Sequence, residues 1–414
     1  MSVKEYQLYT LNNGLRVAYQ KIPSTLLVHC GFIIHAGSRN DGAIPGLAHA
    51  LEHMVFKGTQ KRKTIHVLNH LEVVGGELNA FTTKELTAIY ATAEKRHLSR
   101  AVDILCDVTF RSSLPNSELL KEKKVIKDEI NMYIDTPEEN IYDEFQEMVF
   151  GDHPLAHNIL GTPDSVEAVT QEALKNFVST YYQYPNMVFA VVGNVSIEKV
   201  IANLNRFLPE ETPTSDSIPQ HQKIALNYCP SIQKKESDFN NAYAIMGVPT
   251  FAEDHTNRFG LLLLNNLLGG PGMNSRLNLS IREKHGFTYH VESGYQAFSD
   301  GGLFHCYLSA EEKYIDKSVD LIIKELKKLR ENKLGKVQLS QAKNQFIGQI
   351  IMSNESRNGL MIHIGKGILK YNKALSLQET IQKIKNLTAE QLLSIANEVF
   401  DFENFSHLQY LPEK

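Results

Sequence analysis

The chain has 414 residues, 43 basic and 47 acidic, for a formal net charge of -4. That length exceeds one ordinary core and implies two or more domains. The balanced charge argues against a nucleic-acid-binding surface. The absence of a long apolar run argues against a membrane span, and the N-terminus shows no apolar signal region, so a cytoplasmic protein is expected.

The chain opens with a predicted hairpin, strands 8–11 and 15–20 joined by Asn12-Asn13-Gly14, a strong turn signal. A long apolar strand, 26–36, leads through the loop 37–42 into a helix with His49, Glu52 and His53 among Leu47, Ala50, Leu51, Met54, Val55 and Phe56. A second helix spans 64–74 and stops at Gly75-Gly76. Residues 77–83 and 86–93 alternate like paired strands, and 96–110 and 119–133 read as helices, the second rich in Glu and Lys. The helical pattern resumes after Pro137 and again over 166–182. A strand at 187–192 precedes a helix at 197–207 that Ser196 can cap.

Composition changes at 209–225, where Pro209, Pro213 and Pro219 stand among Thr, Ser and Asp without periodicity, as in an interdomain linker. The second half repeats the first: a strand at 242–248, an apolar helix at 257–268, strands at 289–298 and 302–309, helices, and a last strand at 407–411. Asn265 and Asn266 take the place of the histidines on that second helix. The expected fold is α+β, with two similar domains (1–208 and 226–414), each a mostly antiparallel sheet packed against helices. Cys30, Cys106, Cys229 and Cys306 lie far apart in apolar segments and read as reduced core residues.

His49-Ala50-Leu51-Glu52-His53 is H-x-x-E-H, the inverse of the H-E-x-x-H zinc motif. Residues four apart share one helix face, so both imidazoles can hold one metal ion. Glu52 falls beside that face and can take a proton from water without serving as a ligand. Two histidines need a third donor, and the helix at 119–133 offers Glu122, Asp128 and Glu129. Glu122 and Glu129, seven apart, share a face, so either can be the ligand and the other can orient the site.

H-x-x-E-H followed some 75 residues later by a helix with two glutamates seven apart resembles the pitrilysin-like inverzincin metallopeptidases, the family of insulin-degrading enzyme and mitochondrial processing peptidase. The resemblance extends over nearly the whole chain, to Leu78-Asn79-Ala80-Phe81-Thr82, Asp152-His153-Pro154-Leu155, Gly193-Asn194-Val195-Ser196 and the stretch from Gly270 through Arg282 to Tyr289. It implies a zinc endopeptidase with one Zn2+ per chain, held by His49, His53 and Glu129, with Glu52 as general base and Glu122 as supporting carboxylate. It further implies that Asn79, Ala80 and Phe81 bind peptide by strand addition, and that Arg282 and Tyr289 contact substrate, Tyr289 also the oxyanion. A chain of two such domains is half of an enclosing chamber, so a homodimer is implied. The rival reading is a non-catalytic or partner-dependent subunit of a hetero-oligomeric processing peptidase. Loss of motif residues would mark it, and none is lost here.

Overall fold

The computed structural model describes residues 6–210 and 224–413. These divide into two units, each an α+β layer structure. The first comprises residues up to 130 with 157–221 and 353–377; the second comprises 131–156, 222–352 and 378–414. Most of the expected linker, 211–223, lies outside the described residues.

The first unit is built on strands β1 (Gln7–Thr10), β2 (Arg16–Lys21), β3 (Leu27–Ile34), β4 (Glu77–Thr82), β5 (Thr87–Glu94) and β6 (Met187–Gly193). Their order is β1-β2-β6-β3-β5-β4, antiparallel except for the parallel pair β2 and β6. The central strands β3 and β6 are buried almost throughout, which is why they read as continuous apolar runs without alternation. Successive residues point to opposite faces. The Phe32 ring meets Phe110, while Ile33 packs beneath the helix Arg357–Tyr371. A Cβ on Gly365 of that helix would lie 2.5 Å from Ile33, so only glycine permits the approach.

The second unit carries β7 (Ile232–Ser237), β8 (Ala242–Thr250), β9 (Thr288–Ala297), β10 (Gly302–Ala310) and β11 (Ser406–Pro412), in the order β7-β11-β8-β10-β9. Only β7 and β11 are parallel. This order and these directions reproduce β2-β6-β3-β5-β4, so the internal repeat is present at the level of topology.

Four features differ from the reading of the sequence. The helix expected at 166–182 is two helices, Pro163–Ala168 and Gln171–Tyr181, because Thr170 turns extended and caps the second through Ala173 N. Cys30, Cys106 and Cys306 are buried free thiols, but Cys229 is exposed and is no core residue. Strand β7, Ile-Gln-Lys-Lys-Glu-Ser, is almost wholly exposed and has no apolar alternation to announce it. Finally, two helices lie across the sequence boundaries. Pro137–Phe150 packs Ile141, Phe145 and Val149 on the second sheet, and Arg357–Tyr371 packs Leu360, Met361, Ile364 and Ile368 on the first. Among the described residues no helix is long and apolar enough to cross a membrane.

Candidate metal centre

The motif helix is α1 (Leu47–Met54), followed by α2 (Thr64–Glu72), α3 (Leu98–Phe110) and α4 (Asn116–Ile134). Leu51 and Met54 of α1 are fully buried, each worth ~1.5–3 kcal/mol by removal from water. The start of α1 is built by two residues that the sequence reading passed over. Asp41 accepts hydrogen bonds from Gly46 N (2.7 Å) and Ala48 N (2.8 Å), satisfying amides that the first helical turn leaves free. Gly46 has φ of 87°, and a Cβ there would lie 2.5 Å from the Leu160 carbonyl oxygen. Burial pushes the Asp41 carboxyl up to about 7 against the pull of those amides and Lys84. The signal available in the sequence was an Asp a few residues ahead of a helix start.

The two imidazoles of α1 stand 4.7 Å apart between ring centroids. Glu129 reaches them from α4, its Oε2 3.4 Å from His53 Nε2 and 3.8 Å from His49 Nε2. Ligand atoms of the three residues all lie within 4.8 Å of one another, and among the described residues no other such set of His, Cys, Asp and Glu occurs. Tetrahedral zinc with bonds of ~2.0–2.1 Å requires donor separations of roughly 3.3–3.4 Å, so the donor set and its spacing fit zinc. Burial, and then the nearby His53, push His49 down to about 4, which keeps it in the neutral form that metal ligation needs.

Glu122, also on α4 and 6 % exposed, faces the back of His53. Its Oε2 is 3.1 Å from His53 Nδ1 and its Oε1 2.7 Å from Lys57 Nζ. A proton on Nδ1, donated to Glu122, leaves Nε2 free to ligate. Leu119, Ile126 and Ile130 bury the same side of α4 and hold the carboxylate in place.

Glu52 does not join the ligand cluster. One of its oxygens, Oε2, is buried and has no hydrogen-bond partner. Burial raises its pKa, opposed by Thr82 and His53. Tyr182, fully buried and near Glu52, has its own phenol pKa raised by burial and by that charge. A cavity of about 320 Å³ adjoins Glu52 and His53, bounded by Phe56, Leu68, Leu78 and Ala80. β4, which carries Asn79, Ala80 and Phe81, pairs with β5 alone and forms the free edge of the first sheet. There the Ala80 amide donates to Asn79 Oδ1 at 2.9 Å. Arg282 lies in the second unit on the π-helical segment Asn278–Glu283, and Tyr289 lies on β9 with 94 % of its surface exposed.

Sequence comparison gives this arrangement a context. The pattern of the insulinase family (peptidase family M16) matches residues 16–163, and that of the peptidase M16 inactive domain matches 168–346. An uncharacterized zinc protease of Streptomyces coelicolor is 31% identical over 396 residues, covering 94% of this chain and 86% of its own. The uncharacterized zinc protease YmxG of Bacillus subtilis is 31% identical over 95% of both chains. Among solved structures, a protease from Helicobacter pylori has the same fold with a TM-score of 0.90 at 22% identity, covering 99% of this chain and all of its own. A peptidase M16 inactive domain from Pseudomonas fluorescens superposes with a TM-score of 0.88 at 23% identity, covering 99% of this chain and 98% of its own. With both halves matched in order and relatives aligned nearly end to end, the chain belongs to peptidase family M16, the insulinase or pitrilysin-like family.

Proposed function

We propose that the chain is a zinc endopeptidase acting on extended peptides. The observation that carries this reading is the convergence of His49, His53 and Glu129 beside a half-buried carboxylate, Glu52, one oxygen of which is buried and unpartnered. When bound there, zinc supplies a Lewis acid and lowers the pKa of its water toward ~7. His49, His53 and Glu129 hold it, and Glu122 orients His53. Glu52 takes the proton from the attacking water at Oε2 and returns it to the leaving amine. Its raised pKa suits a group that must hold a proton between those two steps.

The edge of β4 is the site of peptide addition, through main-chain hydrogen bonds that any sequence can make. In this reading an incoming peptide takes over the Ala80 amide that Asn79 now occupies. Arg282 and Tyr289 contact the substrate, Arg282 at its backbone and Tyr289 at the developing oxyanion. Their exposed side chains are compatible with that role. One zinc per chain and a homodimer complete the proposal.

The test is cleavage of an unstructured peptide by purified protein. Activity should vanish with a chelator and return with added zinc. Tyr289→Phe should lose ~10²-fold in turnover at unchanged zinc content. Arg282→Ala should mainly weaken peptide binding. Cleavage insensitive to chelation would refute the metal mechanism. A Tyr289→Phe protein equal to wild type would remove Tyr289 from it.

A further inference from the structure

A base that takes a proton from water must be aimed at it, and a glutamate has several rotatable bonds through which to swing away. Glu52 sits on α1, which packs against β4, and Thr82 is the last residue of that strand. Burial raises the Glu52 pKa, and the Thr82 hydroxyl is the foremost of the groups that oppose it, ahead of His53; the Thr82 main chain acts in the same direction.

Behind Thr82 stands Thr87, fully buried and directly opposite it on β5. Their hydroxyl oxygens lie 3.5 Å apart. Thr87 donates its one proton to the Ala36 carbonyl oxygen at 2.9 Å, so toward Thr82 it can only accept. The Thr82 proton then has two acceptors to choose between. One is a neutral hydroxyl at the outer limit of hydrogen-bond length; the other is a carboxylate. A bond to a charged acceptor is roughly twice as strong, so the proton turns to Glu52.

A threonine pair across two strands can also be plain sheet packing. Two orphaned oxygens argue otherwise. Tyr182, fully buried beside Thr87 and Glu52, has a hydroxyl with no partner among the described residues, and Glu52 Oε2 has none either. A layer of polar groups with a purely structural role satisfies its members. This one is arranged around the carboxylate and keeps one of its oxygens unpaired.

We propose that Thr82 is a positioning residue for the general base: its hydroxyl holds the Glu52 carboxylate toward the attacking water and leaves Oε2 unpaired for the proton. The inference rests on the peptidase reading and deepens it. Residues 79–81 take the peptide and Thr82 takes the base, so one strand fixes the distance between the scissile bond and the group that activates water.

Steady-state cleavage of an unstructured peptide by the full chain tests it. Thr82→Val keeps the side-chain shape and the strand preference and removes only the hydroxyl. It should lower kcat ~10-fold or more, with KM and zinc content unchanged. Thr82→Ser, which keeps the hydroxyl, should retain most of the wild-type kcat. In a Glu52→Gln background, Thr82→Val should change kcat by less than about twofold, because the base it holds is gone. The proposal is overturned if Thr82→Val matches an active wild type in kcat, if the loss falls on KM alone, if Thr82→Ser is as impaired as Thr82→Val, or if the loss persists in full beside Glu52→Gln. A wild-type chain that cleaves no peptide would overturn the peptidase reading and this inference with it.

Discussion

Replacing Glu122 with glutamine separates the role of this carboxylate from that of the ligands it supports. Glu122 accepts from two groups at once, His53 Nδ1 at 3.1 Å and Lys57 Nζ at 2.7 Å. An amide has one carbonyl oxygen and one NH2, so one of those two donors must then face another donor. Lys57 retains partial exposure, whereas Glu122 is buried, so the loss falls on a site with little water to compensate. One charge-assisted hydrogen bond of this kind is worth ~1.5–3 kcal/mol, which corresponds to a ~10–100-fold loss of zinc affinity, the range found for groups that orient metal-bound histidines. Competition titration against a chromophoric chelator measures it. Lys57→Met is the control. It leaves Glu122 free to hold His53 and should change zinc affinity by less than about threefold. Equal zinc affinity in wild type and Glu122→Gln, or an equal loss in Lys57→Met, would refute the orienting role.

Two further predictions concern stability. Asp41→Ala strips two buried amides at the start of α1 of their acceptor and should cost ~1–3 kcal/mol in urea unfolding, with a lower zinc content; unchanged stability and zinc content would show that α1 does not depend on this cap. His305 is fully buried, and burial pushes its pKa from 6.5 down to about 4. Below pH 6.5 the unfolded chain takes up a proton that the folded chain refuses until about pH 4, so this group's contribution is present at neutral pH and is lost as the pH falls through that window. His305→Gln should therefore flatten the acid-side loss of stability by up to ~3 kcal/mol. An identical slope in urea unfolding at pH 4.5 to 7 would refute the assignment, these pH limits being roughly those of the window.

The readable parts of this chain were those where a local pattern and its tertiary outcome coincide. Asn12-Asn13-Gly14 makes the turn between β1 and β2, and the continuous apolar run of β3 reflects burial on both faces. Helix periodicity puts His49 with His53, and Glu122 with Glu129, on one face of each helix; that the two faces belong together came from the family resemblance, and the structure brings them within reach of each other. What stayed hidden depends on partners distant in sequence. The amphipathic pattern of Arg357–Tyr371 says that one face is buried, but not that Ile33 of the first sheet lies against it. β7 forms by parallel pairing with β11 and needs no apolar face of its own. Asp41 stood in a polar loop, and only the fold reveals that its carboxylate is buried against the first turn of the motif helix.

The central claim is that Glu52 performs proton transfer beside a metal it does not hold. The direct measurement is the rate of peptide cleavage by wild type and Glu52→Gln at matched zinc content. The isosteric amide should keep the metal, because Glu52 is not among the gathered donors, and should cleave ~10²–10⁴-fold more slowly because it cannot accept the proton. A Glu52→Gln protein that cleaves at the wild-type rate, or one that loses its zinc, would contradict this account.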